Sequence, residues 1–279
     1  MDRLEAFKII AAQAGKGELA FPTNVNASLK IQQALNDPDC HVEAAAKLVQ
    51  TEPLLSARTV AIANSVAYNR SGNEITNVRN AVTRVGFRTL QSLAASVVVR
   101  QFGSKLNDPA LRAKATQLWE HTAHVAALAQ VLARRISNLD PETAMFAGLV
   151  HEIAGFYLLS RAEEFPGLLD GDLEEWVEYG EKVIGRGVLK KLNVPEAVTE
   201  AVESVWFGYR ALPPETLGDI LLLANDLAPV PSPLDFRGGA TSKESASTID
   251  FVIGEGSLND ILEESANEVN SLTAALLAN

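Results

Sequence analysis

An all-α fold is predicted by three observations. Apolar residues recur at spacings of three and four along most of the chain, Ala and Leu are abundant, and acidic-Pro pairs precede helical patterns at Asp37-Pro38, Glu52-Pro53, Asp108-Pro109 and Asp140-Pro141. Pro suits a first turn because the N–H it lacks would have no partner there, and the acidic residue before it can accept from the turn's free N–H groups.

In chain order, the pattern predicts helices near 2–14, 25–36, 41–50, 53–64, 77–84, 87–103, 109–137, 141–160, 163–169, 173–191, 195–206, 214–228 and 257–277. The first is amphipathic with mixed charges. His41 stands near a helix start, where an exposed capping role is expected. Asn64-Ser65 closes the fourth helix, where polar side chains satisfy terminal carbonyls. Val78, Val82, Val85, Leu90, Leu93 and Val97 form one apolar stripe, interrupted by Gly86, which ends one helix and allows a sharp turn into the next. Leu118, His121, Val125, Leu128 and Leu132 form the stripe of 109–137, and Asp140 caps the apolar helix that carries His151. Residues 229–256 mix Pro, Ser and Gly and read as a long loop, with a β-branched run at Thr248 to Ile253 and a Gly-Glu-Gly turn before the final helix. Trp119, Trp176 and Trp206 have apolar neighbours at helical spacing and read as core or lobe-contact aromatics.

With 279 residues, 47% of them hydrophobic against 21% charged, the chain can build one large or two modest cores. Leu93 to Val99 and Leu217 to Leu227 fall short of the roughly 18 apolar residues of a membrane span. No export signal is recognisable, so a cytoplasmic protein without a membrane segment is expected. Cys40 is the single cysteine and makes no internal disulfide. A net charge of -11 disfavours nonspecific attraction to nucleic acid or anionic lipid, so protein partners fit better. A local basic pocket could still take a nucleotide, and Arg58, Arg84, Arg88 and Arg100 are candidate anion contacts, although helix Arg residues more often form a solvated face.

Further motifs run in order from about 20 to 228: Phe21-Pro22-Thr23, LNDPD (35–39), EAAAKLVQTEPLLSARTVAIANSVAYN (43–69), EITNVRNAVTRVGFRTLQSL (74–93), His121, and AMFAGLVHEIAGFYLLS (144–160). This string resembles the HDOD family, the HD-related output domain of bacterial signalling proteins and a degenerate branch of the HD phosphohydrolases. It departs at Asn24 to Asn26, at Glu52 for Asp and at Val85 for Leu. The resemblance implies two helical lobes: 1–104, and an HD-like bundle over 105–279 that includes the loop and the C-terminal helix.

By the same resemblance, His121, His151, Glu152 and Asp226 fall at the places of the HD metal ligands. Several His and carboxylate ligands must converge on one or two cations for that chemistry. Here Glu152 replaces the Asp of the His-Asp pair, and its extra methylene displaces the carboxylate by about 1.5 Å where metal sites tolerate about 0.2 Å. The usual Gly-Lys after the pair reads Ala154-Gly155. The further histidines of binuclear enzymes fall on Glu181 and on Ser204-Val205-Trp206. These changes imply a vestigial pocket with no catalytic residue and no required cofactor, in a regulatory protein that acts through protein partners or a small ligand, including a nucleotide. The alternative is a mononuclear phosphohydrolase holding one divalent metal on those four residues. On residue type alone, His121 reads as a buried histidine bonded to Glu152 or Asp226.

Overall fold

The computed structural model describes residues 2–21, 25–208, 210–234, 252–253 and 256–278. Its helices are α1 (Arg3–Lys16), α2 (Val25–Leu35), α3 (Val42–Gln50), α4 (Pro53–Asn64), α5 (Val78–Phe102), α6 (Pro109–Ile136), α7 (Pro141–Val150), α8 (Ile153–Arg161), α9 (Leu173–Glu175), α10 (Arg186–Lys191), α11 (Glu196–Phe207), α12 (Leu217–Leu227) and α13 (Leu258–Leu277). A π-helical stretch, Trp176–Gly185, joins α9 to α10. The only strands among the described residues are two-residue partners, Val252↔Ser257 and Ile253↔Gly256. Residues 235–251 and 254–255 of the expected loop lie outside the described residues.

Capping chemistry places most helix starts. Glu52, Asp108 and Asp140 each accept from a first-turn N–H at Leu55, Ala110 and Thr143, as their position before Pro predicts. Asp37-Pro38 is the exception: Asp37 accepts from the N–H of Asp39 in a turn, and α3 begins four residues after Pro38 on His41, whose Nδ1 accepts from Ala44 N–H at 3.2 Å. Gly86, at φ 78 and ψ 169, kinks α5 between the two predicted segments. Of the expected Asn64-Ser65 cap, Ser65 Oγ donates to the terminal carbonyl of Ile62 at 2.7 Å, while Asn64 instead braces the segment before α5, donating to Ile75 O at 2.6 Å and accepting from Ile75 N–H at 2.8 Å.

The predicted helix at 163–169 is a run of turns instead. Pro166 supplies no N–H for a helical ladder, and Gly167 takes φ 84, outside the helical region. The predicted 141–160 helix is also divided, at His151-Glu152, where Glu152 adopts φ -95 and ψ 18.

α6 runs through the middle of the core. Most of its residues from Leu118 to Ala133 are buried, along several faces, against α7 and α8 on one side and α12 and α13 on others. α13 packs on both α6 and α4, tied by an Arg134–Glu268 ion pair and by Val66 N–H donating to Ser271 Oγ at 3.0 Å. α1 lies on the π-helical stretch, with Phe7 stacked on Tyr179 and Arg3 paired to Glu175 at 2.6 Å. Pro141–Arg161, taken through its break, is long and apolar enough by composition to cross a membrane, but 83% of its most apolar window is buried in the core.

Asp219 sets the start of α12, where it accepts from the N–H groups of Ala211, Glu215 and Thr216 and from the Thr216 hydroxyl. Burial alone would raise its pKa, but these bonds outweigh burial and hold it below the ordinary Asp value. A depressed folded pKa means that the unfolded chain takes up the proton first as pH falls. The associated stability is present near neutrality and lost on acidification. Between about pH 5 and 3, the urea midpoint of the wild type is expected to fall more steeply than that of Asp219→Asn; parallel curves would refute this.

Candidate functional site

The break in the long apolar helix is where the site forms. In an unbroken helix, His151 and Glu152 would diverge by about 100°. Here α7 stops at Val150, α8 starts at Ile153, and one ligand atom each from His121, His151 and Glu152 lies within 4.8 Å of the others. They open on a cavity of about 300 Å³ that is also lined by Trp176, Glu181, Trp206, Arg210, Asn225 and Asp226.

Hydrogen bonds fix both imidazoles. His121 Nδ1 lies 2.7 Å from the carbonyl of Val230, and His151 Nδ1 lies 2.8 Å from the carbonyl of Gly148. Carbonyls only accept, so each Nδ1 carries a proton and each ring turns its Nε2 inward. Burial, opposed by Glu152 and reinforced by His121, pulls the His151 pKa down to about 4, so this ring is neutral near pH 7.

The two Nε2 atoms stand 3.2 Å apart, and Asn225 Oδ1 is 3.2 Å from that of His121. An Nε2–H on one ring would bridge the pair and could also reach Asn225 Oδ1, which only accepts; a bound cation would take the place of that proton. Ligands bound to one ion at about 2.0–2.1 Å, roughly 100–109° apart, are themselves about 3.1–3.4 Å apart, so the histidines fit a single cation. Glu152, whose carboxylate makes no cap hydrogen bond to α8, would supply a carboxylate oxygen to such an ion.

The four sequence candidates therefore divide. His121, His151 and Glu152 converge, whereas Asp226 lines the same cavity but is ion-paired to Arg210. Asn225, one residue earlier on α12, faces the histidines in its place. His121 is buried as expected, yet its partners are Val230, His151 and Asn225 rather than a carboxylate. His124 is half-buried one turn on, its pKa lowered by burial, and joins no ligand group among the described residues.

Positions aligned with the missing histidines do reach the cavity, with other chemistry. The π-helical repeat puts Trp176 in register with Glu181, and Trp176 Nε1 donates to Glu181 Oε1 at 3.2 Å. Trp206 fills the wall beside them. At Gly155, where the HD pattern has lysine, a Cβ would lie 2.9 Å from Leu234 Cδ1 and 3.1 Å from Glu152 Oε2, so a side chain there would have to displace the ends of both. No second His cluster exists among the described residues, so a second ion has no comparable cage.

Arg210, Asn225 and the Val230 carbonyl were not singled out in the sequence. Asn225 had the strongest available signal, since it is the polar neighbour of Asp226 on a helix whose register decides which of them faces inward.

Three solved structures share this architecture. A "Putative metal-dependent phosphohydrolase" from Shewanella amazonensis is 22% identical, with 99% of this chain and 100% of that chain covered and a TM-score of 0.71. An HDOD domain protein with unknown function from Geobacter sulfurreducens is 19% identical, covering 98% and 97% at a TM-score of 0.57. A "Putative signal transduction protein" from Marinobacter aquaeolei is 18% identical, covering 99% of this chain and 65% of that one at 0.52. No curated protein matches. The HDOD domain family matches residues 21–206, two thirds of the sequence, and together with the motifs and the divided His-Glu helix this establishes that the chain belongs to the HDOD family.

Proposed function

We propose that this chain is a regulatory HDOD protein that senses a ligand in the His121–His151 pocket and signals to a protein partner without hydrolysis. One observation carries the reading: the carboxylate of Asp226 is engaged by Arg210, and neutral Asn225 stands against the histidines instead. A cation held by His121, His151 and Glu152 would have one charged ligand. When bound, such an ion could polarise a phosphate or a water, but the chain offers no second cage and no lysine beside it. Residues 1–104 and 105–279 serve as the two lobes of this reading, the first a surface for partners in a signalling pathway and the second the ligand pocket.

A mononuclear phosphohydrolase acting on a nucleotide is the second reading, favoured by the two converging Nε2 atoms. Metal content of protein purified without chelator or affinity tag, followed by nucleotide hydrolysis with manganese, iron or magnesium, separates the two. At most one ion per chain, lost in His151→Ala, and no turnover are expected. Turnover that disappears in His151→Ala would establish the enzyme. For a nucleotide as the sensed ligand, the expected result is a rise in melting temperature on its addition without release of phosphate.

A further inference from the structure

Four arginines were candidates for anion contacts, and the structure separates them. Arg88 is exposed and reaches Asp140 at 3.4 Å; Arg84 donates to the carbonyls of Ala63 and Asn73. Arg58 is different. It is fully buried in α4, and its Nε, Nη1 and Nη2 atoms all lack a hydrogen-bond partner.

Guanidinium remains protonated in proteins and has donors only, so enclosing it without an acceptor is costly. Its central carbon lies 4.8 Å from the ring centroid of Trp119, but a cation–π contact offsets only part of that cost. Arg100 approaches the same ring at 5.9 Å and adds a second positive charge. Burial, and next the charge of Arg100, pull the Arg58 pKa down to about 9, which still leaves the group charged at neutral pH. Glu52 is the nearby acid, but its carboxylate caps α4 on Leu55 N–H at 2.7 Å. Trp119 Nε1 is likewise buried without an acceptor.

The unmet atoms of Arg58 and Trp119 are thus all donors, gathered where two cations meet. A water would accept there but would also bring hydrogens needing acceptors; an anion brings acceptance and neutralising charge together. We infer that Arg58, Arg100 and Trp119 form a binding site for a small anion of halide size, enclosed between α4, α5 and α6 and separate from the histidine pocket. The Arg58 nitrogens leave no water-sized space beside them, so entry of the anion requires Arg58 and the half-buried Arg100 side chain to shift, which holds the ligand to a small size. The anion would stabilise the packing of α4 and α5 on α6, the helix that carries His121.

The test is thermal unfolding of the full chain while chloride replaces gluconate at constant ionic strength and pH. The melting temperature should rise with chloride, by about 3 °C for each tenfold increase above the dissociation constant. Arg58→Met fills a similar volume without donors, and its melting temperature should not respond to chloride. Should that variant fail to fold, Arg100→Gln is expected to weaken the apparent chloride affinity about tenfold. Bromide in crystals should give an anomalous peak in contact with Arg58. A wild-type melting temperature indifferent to chloride, or the same chloride response in Arg58→Met, would overturn the site.

Discussion

Gly148→Ala is expected to destabilise the protein by about 3 kcal/mol and to impair cation binding with it. A Cβ at this position would lie 2.5 Å from Ala126 Cα and 2.8 Å from Ala126 N, both backbone atoms of α6. Ordinary carbon contacts need about 3.5–4.0 Å, so α6 and α7 would have to separate by about 1 Å. Alanine's better helix propensity, about 1 kcal/mol, opposes this but does not cancel it. The same two helices carry His121 and His151, and the Gly148 carbonyl orients the His151 ring, so their separation should also disturb the 3.2 Å pair. Urea unfolding and metal stoichiometry measure the two effects. A variant within 1 kcal/mol of the wild type would show that the helices accommodate the methyl group and that this contact does not set their spacing.

Removing the Glu142 carboxylate should cost about 2–3 kcal/mol. It accepts from Tyr68 Oη at 2.5 Å, Thr89 Oγ1 at 2.7 Å and Gln130 Nε2 at 3.2 Å, joining the segment after α4, α5 and α6 to the first turn of α7. Burial, followed by the negative charge of Glu142, raises the Tyr68 pKa, so the phenol remains a donor. Gln130 Nε2 also donates to Tyr68 Oη at 2.9 Å, which retains part of the network when Glu142 is gone. In a double-mutant cycle, Tyr68→Phe and Glu142→Ala are expected to couple by about 1 kcal/mol or more, whereas additivity within about 0.3 kcal/mol would mean that the network does not hold these helices together.

The sequence was most legible where one residue type answers one local need. Acidic side chains before Pro marked three starts, His41 its own cap, and Gly86 the kink, because each feature depends on neighbouring backbone. Asp37-Pro38 misled because the same chemistry makes an isolated turn. Periodicity also ran through Pro166-Gly167 and through His151-Glu152, since an apolar stripe records burial rather than backbone continuity. At the site, His121, His151 and Glu152 were readable from their resemblance to the HD pattern. The exchange of Asn225 for Asp226 was not, because it depends on a one-residue rotation of α12 and on Arg210, a partner 16 residues away.

Dividing the apolar helix also changes the electric field at the site. An unbroken helix has its partial charges only at distant ends, whereas here α7 ends and α8 begins on consecutive residues, His151 and Glu152. The carbonyl end of the first helix carries about half a negative charge and the N–H end of the second about half a positive one. The former favours a cation beside His151, while the latter favours a negative group at the start of α8. Backbone thus provides a built-in polarity to which the side chains conform, set by the point at which the helix stops.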